Sequence, residues 1–168
     1  MRATPRVLVV GGGFAGLETA FLLRMRLHDA VDLSLVSDRD TWVFKPNSIY
    51  IPFGAEPESL LVELAQPLRK RHISFHESRV REVDPTSRRV SLENGAALPF
   101  DFLVLATGSG MRPEEIPGLG KHAESIWTSE EMLSLRAALA GLRTRAGDGE
   151  EQQVLFVVPP NNKCAGPL

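Results

Sequence analysis

Val7-Leu8-Val9-Val10 is an unbroken apolar run, the pattern of a strand buried on both faces of a parallel sheet. Gly11, Gly12 and Gly13 end it at once. Leu17, Ala20, Phe21 and Met25 then recur near helical spacing and predict a helix from about Phe14 to Leu27. Val31, Leu33 and Leu35 alternate with Asp32 and Ser34, the period of a second strand. Strand, glycine turn, helix, strand is a βαβ unit, expected to be right-handed and to leave its turn at the carboxyl edge of the sheet.

Thr41 to Pro57 contains Pro46, Pro52, Gly54 and Pro57 and is expected to be a loop. Glu58 to His72 has helical composition, although Pro67 argues for a kink or a later start. Ile73 to Phe75 predicts a short strand. Val80 to Val83 and Arg89 to Leu92 predict a hairpin turned at Asp84-Pro85-Thr86-Ser87. Asn94-Gly95 is a second turn, leading to a buried strand over Phe102 to Leu105. Gly108 to Gly120 is rich in Gly and Pro and is the best place for a domain boundary. Thr128-Ser129-Glu130-Glu131 has the capping-box pattern and opens a helix to about Arg143. Val154 to Val158 reads as one more buried strand. It repeats the character of Val7 to Val10, and each run is followed by a loop ending in Ala-Gly (Ala15-Gly16, then Ala165-Gly166).

Composition narrows this picture without redirecting it. With 43% hydrophobic residues in 168, the chain can bury a core. A formal charge of -2 gives no pull toward nucleic acid. The single cysteine, Cys164, excludes an internal disulfide. No apolar run is long enough for a signal core or a membrane span, so a cytoplasmic or peripheral membrane location is expected, with any anchor lying elsewhere.

Gly11-x-Gly13-x-x-Gly16 carries the first chemistry. Glycines there allow a tight turn, let backbone approach a pyrophosphate, and let helix pack on strand. The helix start, with Phe14 and Ala15, offers N–H donors and a partial positive charge to phosphates. An acidic residue is expected near the end of the second strand to hold ribose hydroxyls. Asp38 stands there, with Ser37 before it; the plainer reading of Asp38 is a solvated turn residue. These features call for the ADP part of a dinucleotide.

Phe102-Leu103-Val104-Leu105-Ala106-Thr107-Gly108 carries the second signal, a strand running into small residues. With the glycine turn and an intervening hairpin, it resembles the FAD-dependent pyridine nucleotide-disulfide oxidoreductase superfamily over essentially the whole chain. The resemblance implies an α/β fold. Residues 1–112 would be an incomplete Rossmann-like FAD-binding domain with a parallel sheet and β-hairpin insertion. Residues 113–168 would begin a second Rossmann-like domain. It also implies that Ala106, Thr107 and Gly108 pack beside FAD and that the Val80 backbone lies near the adenine.

Two stretches narrow the likeness. Phe44-Lys45-Pro46-Asn47 resembles the flavin-side loop of sulfide:quinone oxidoreductases and type II NADH dehydrogenases; ordinary turn chemistry is the alternative for Pro46 and Asn47. Pro159 to Pro167 resembles the loop bearing the redox cysteine of sulfide:quinone oxidoreductases and flavocytochrome c sulfide dehydrogenases. Cys164 follows Lys163, which favours thiolate; the alternative is a small buried hydrophobe. Pro159 and Pro160 stand where a type II NADH dehydrogenase has a second glycine turn, and proline has no N–H to offer a phosphate. Ser125-Ile126-Trp127-Thr128 departs from the pattern, because many bacterial sulfide:quinone oxidoreductases carry a cysteine there.

The resemblance implies an FAD enzyme passing electrons from a reduced sulfur donor to a quinone or a cytochrome. The alternatives are a type II NADH:quinone dehydrogenase-like flavoprotein and a truncated, non-catalytic nucleotide-binding fragment. The cysteine partner of Cys164, the quinone pocket and any membrane anchor would lie outside this chain. His28, His72, His76 and His122 show no ligand spacing, so no metal is expected. Arg69-Lys70-Arg71-His72 reads as a basic helix end.

Overall fold

The computed structural model describes residues 3–157. β1 (Arg6–Val10) leads through the glycine turn into α1 (Phe14–Leu27) and then β2 (Asp32–Ser37). β1 pairs with β2 in parallel, Val9 opposite Leu35, so both apolar runs meet inside one sheet. A short strand β3 (Thr41–Val43) follows, then a 3-10 segment over Lys45–Phe53. β4 (Leu61–Glu63) returns antiparallel to β3, and α2 (Ala65–Arg69) precedes β5 (Ser74–Glu77). β6 (Val80–Asp84), β7 (Arg89–Leu92) and β8 (Ala97–Pro99) form an antiparallel sheet. β9 (Phe102–Leu105) rejoins the main sheet beside β1. The last elements are α3 (Leu119–His122) and α4 (Ser129–Gly147).

The main sheet has the order β5-β2-β1-β9, all parallel. Its two faces are covered differently. On one, Val7, Val9, Leu33 and Leu35 pack with Leu17 and Ala20 of α1 and with Leu64, Leu68 and Ile73. On the other, Leu8, Val10 and Val36 meet Val90 and Leu92 of the small sheet and Phe100 just after it. The hairpin insertion thus forms the second face of the core. Burying each such aliphatic side chain contributes about 1.5–3 kcal/mol.

Four expectations are corrected. Glu58 to His72 is not one helix: a 3-10 turn (Pro57–Leu60), β4 and α2 divide it. Leu61 to Glu63 pairs with β3, and that pairing overrides helical composition. Pro67 is tolerated in the first turn of α2, where its missing N–H has no intrahelical role. Thr41 to Pro57 is not a loop but contains β3 and the 3-10 segment. β9 is not fully buried: Phe102 is 62% and Leu105 63% exposed, because no described strand lies outside it. Val154 to Val157 forms no strand and is exposed throughout; Val158 lies outside the described residues.

α4 packs back on the first unit. Met132 is buried with Ile51 and Leu60. Arg136 donates from Nε to the Ile51 carbonyl at 2.6 Å and also bonds the Ala55 carbonyl and Glu56. The helix begins with the expected capping box. Thr128 Oγ1 accepts from Glu131 N at 3.2 Å, and Glu131 Oε2 accepts from Thr128 N at 2.7 Å. Burial pushes the Glu131 carboxyl up, but bonds from the Thr128 and Trp127 N–H groups outweigh it and leave the pKa below the ordinary value.

Candidate functional site: a glycine crossing at the carboxyl edge

The turn between β1 and α1 sits where three chain segments cross. Gly11 has φ +115°, a conformation that favours glycine, and its N–H donates to the Val36 carbonyl at 2.8 Å. A Cβ on Gly11 would stand 2.2 Å from the Ala106 carbonyl oxygen. A Cβ on Gly16 would stand 1.8 Å from the Gly11 carbonyl oxygen and 3.5 Å from the Ala106 Cβ. Ala106 is fixed in turn by its N–H bond to the Val10 carbonyl at 2.8 Å. Gly11, Gly16 and Ala106 are therefore mutually packed, and the two sequence signals meet at one point. The residues after Ala106, Thr107 and Gly108, are exposed beside this crossing.

Gly12 belongs to the site too, which the G-x-G-x-x-G spacing does not disclose. A Cβ there would meet Ser37 Oγ at 2.7 Å and Leu64 Cδ1 at 2.9 Å. Ser37 is the buried polar side chain at the end of β2, and its carbonyl accepts from Ser78 N at 2.8 Å. Asp38 follows it, exposed, with Arg39 Nε 3.5 Å from its carboxylate. Val80, half-buried, starts β6 just beyond β5, where Glu77 is level with Ser37.

Gly13 differs from its neighbours. No atom lies within 4 Å of where its Cβ would be. It is the N-cap of α1, with no side-chain cap and no acidic residue in the first turn. A 14-residue helix thus presents the N–H groups of its first turn with no acidic side chain to compensate that end of the dipole. Space above Gly13 and free donors below it fit a pyrophosphate.

The residues Lys45, Pro46 and Asn47 are exposed at the start of the 3-10 segment. They are held to the helix start through aromatics. Phe14 and Trp42 meet edge-on with centroids 4.7 Å apart, and Phe44 lies 5.6 Å from Trp42 and 6.0 Å from Phe14. Lys45 Nζ stands 3.9 Å above the Trp127 ring, joining this segment to the start of α4. These two residues, with Arg39, Ser48 and Thr128, line a cleft of about 240 Å³. The aromatic cluster and the Lys45–Trp127 contact had no sequence signal beyond composition. Cys164 lies outside the described residues. Among the described residues no group of His, Cys, Asp and Glu could hold a metal ion.

A larger cleft, about 360 Å³, lies at the opposite edge of the sheet between the ends of α1 and α2. Arg24 occupies it, donating to the Val31 and His72 carbonyls at 3.3 and 2.6 Å. This cleft is remote from the glycine crossing, and its polar groups serve to join two helix ends.

A parallel sheet with a glycine turn and an open helix start at its carboxyl edge is a Rossmann-like nucleotide-binding fold. Residues 5–154 match the family model of the pyridine nucleotide-disulphide oxidoreductases, and the chain belongs to that family. It is 31% identical over 165 residues to the sulfide-quinone reductase of Aquifex aeolicus, covering 96% of this chain and 36% of that protein. It is 29% identical over 136 residues to a type II NADH:quinone oxidoreductase of Staphylococcus epidermidis, covering 76% of this chain and 33% of that protein. The crystal structure of the Aquifex aeolicus sulfide:quinone oxidoreductase superposes with a TM-score of 0.75 over 83% of this chain and 32% of that one. The chain spans about a third of the length of the curated relatives it matches. No helix among the described residues is long and apolar enough to cross a membrane.

Proposed function

We propose that this chain is the FAD-holding part of an oxidoreductase of the sulfide:quinone oxidoreductase type. The observation that carries the reading is the crossing of Gly11, Gly16 and Ala106 beneath an open Gly13. Two glycines whose Cβ would clash, Gly11 and Gly16, and one that leaves room, Gly13, suit a backbone cradle for a pyrophosphate. Phe14, Ala15 and Gly16 would donate to its oxygens. Asp38, with Ser37 behind it, would accept from the adenosine ribose. The Val80 backbone would border the adenine. Lys45, Pro46, Asn47, Thr107 and Gly108 would line the flavin side. A bound flavin would supply the two-electron redox chemistry. The chain's own contribution is to seat and orient it, with Cys164 proposed as the residue that takes up reduced sulfur. The acceptor would be a quinone or a cytochrome. We also propose the division at residues 112 and 113, with the qualification that α4 packs on the first unit.

The visible absorption spectrum of the purified chain, after FAD is added and excess removed, tests the cofactor. Weak retention is expected of a domain that is incomplete in this chain; retained flavin bands would show that it builds its own cofactor site, and a spectrum of added FAD unchanged by the protein at any concentration would count against the cradle. The similarity to a type II NADH:quinone oxidoreductase supports a second reading with NADH as donor. Pro159 and Pro160 weigh against it, since neither can donate an N–H to NADH phosphates. Anaerobic mixing of the flavin-loaded protein with sulfide and with NADH separates the two, by which donor bleaches the flavin.

A further inference from the structure

Trp127 has no part in the reading above, yet it is tied to two regions of the fold. Its backbone N–H donates to Glu131 Oε2 at 2.8 Å, beside the Thr128 N–H at 2.7 Å, so residue 127 belongs to the capped start of α4. Its ring lies under Lys45 Nζ, 3.9 Å from the centroid. Lys45 opens the 3-10 segment Lys45–Phe53. The far end of that segment is gripped by the same helix, through Met132 against Ile51 and through Arg136 on the Ile51 and Ala55 carbonyls. α4 therefore holds the segment at both ends, by packing and hydrogen bonds at one and by an indole under a cation at the other.

The same lysine stands near the helix start. Phe44, the residue before it, lies 6.0 Å from Phe14, the first residue of α1, and 5.6 Å from Trp42. An exposed lysine on its four-carbon stem samples many rotamers, and fixing one of them on binding costs affinity. The indole face removes part of that freedom beforehand. It attracts the ammonium through its quadrupole, and Trp does so more strongly than Tyr or Phe.

We propose that Trp127 is a positioning residue for the flavin half of the dinucleotide: its indole fixes the Lys45 ammonium on the flavin side of the cradle. The inference rests on the FAD reading above and deepens it. A flavin ring offers oxygen and nitrogen acceptors, and a lysine held in place has three donors to turn toward them. The ADP half is assigned to other residues, the glycine turn and Asp38. Lys45 and Trp127 therefore bear on FAD and not on ADP, and α4 governs how the 3-10 segment presents its charge.

The test is calorimetric titration of the 168-residue chain with FAD and, separately, with ADP. Lys45→Met and Trp127→Leu are each expected to weaken FAD binding about five- to tenfold. Both should leave ADP affinity and the melting temperature close to wild type, since any side chain at 127 other than proline keeps the N–H bond to Glu131. The double variant should lose no more than either single one, because Trp127 acts through Lys45. Trp127→Phe keeps an aromatic face and should recover most of the loss. Before any ligand is added, the indole ring current should shift the Lys45 ε-methylene protons upfield in wild type and not in Trp127→Leu. Additive losses, an unshifted Lys45 in wild type, or equal losses for FAD and ADP would each overturn the inference and leave the cradle standing. A wild type that binds neither ligand would remove the cradle, and the inference with it.

Discussion

A methyl group on Gly16 would lie 1.8 Å from the carbonyl oxygen of Gly11, well inside van der Waals contact. Gly13, three residues earlier, has no neighbour within 4 Å of the same point. The three glycines of one motif therefore do two jobs. Gly11 and Gly16 close the packing of helix on strand, and Gly13 leaves room above it. Alanine substitution should separate them. Gly16→Ala must displace backbone and is expected to cost about 1–3 kcal/mol, as other overpacked sites do. Gly13 has φ -85° and ψ -170°, an extended conformation open to alanine, so Gly13→Ala should melt as wild type does. Its methyl would instead occupy the pyrophosphate space, and flavin retention should fall. Thermal melts and flavin spectra on the two variants check this. A Gly13→Ala protein with full flavin retention would remove the cradle from its proposed place.

The ends of β1 and β9 are joined across 95 residues by Arg6 and Asp101. Arg6 Nε and Nη2 donate to the two carboxylate oxygens at 3.1 and 3.0 Å, and the Arg6 backbone N–H donates at 2.8 Å. These bonds hold the Asp101 carboxyl at about 2, below its ordinary 3.8. A depressed carboxylate pKa contributes stability above the unfolded value that is lost as pH falls toward the folded one. The contribution should thus be whole above about pH 4 and decline toward pH 2. Asp101→Asn never has it. Melting temperatures taken across that interval should fall more steeply for wild type than for Asp101→Asn. Parallel curves would show that the pair adds nothing.

What could be read from the sequence was local. β1, the glycine turn and α1 were legible because an apolar run and fixed glycine spacing need no distant partner to be recognised. The capping box at Thr128 and Glu131 was legible for the same reason. Glu58 to His72 has helical composition, yet Leu61 to Glu63 is a strand because β3 is there to pair with it. Phe102 to Leu105 reads as buried by composition, but burial depends on what stands beside it, and among the described residues no strand lies beyond β9. Val154 to Val157 shows the same limit, since an apolar run does not state whether anything covers it. In the site, the pairing of Gly12 with Ser37 and Leu64, and of Phe14 with Trp42, exists only through tertiary contact.

Trp42 offers a direct optical report on the proposed site. Its ring packs edge-on against Phe14, the first residue of α1, with centroids 4.7 Å apart. A flavin seated on that helix start would accept its excitation energy. Addition of FAD should quench tryptophan emission in the Trp127→Phe variant, in which Trp42 is the remaining indole. The same titration on Gly13→Ala should show a weaker response at equal FAD. Emission indifferent to FAD in a folded Trp127→Phe protein would place the flavin elsewhere or nowhere.

The first folding unit runs past the stretch where composition would end it. Composition puts a boundary in the glycine- and proline-rich stretch from Gly108 to Gly120, yet α4 beyond it completes the core around Ile51. Ile51 is fully buried, and Met132 and Leu60 are its buried partners. Arg136 meanwhile donates to the carbonyls of Ile51 and Ala55, the first of which also accepts from the Gly54 N–H. A chain cut after residue 112 would expose that cluster and remove the Arg136 bonds. It should melt earlier than the full chain and be cleaved by protease between Lys45 and Leu60. Met132→Ala in the full chain leaves a cavity in the same cluster and should cost about 2–5 kcal/mol if α4 unfolds together with the sheet. A loss of well under 1 kcal/mol, with the sheet's melt unchanged, would mean that α4 docks as an independent element. In that case the boundary expected from composition would also be the boundary of cooperative folding.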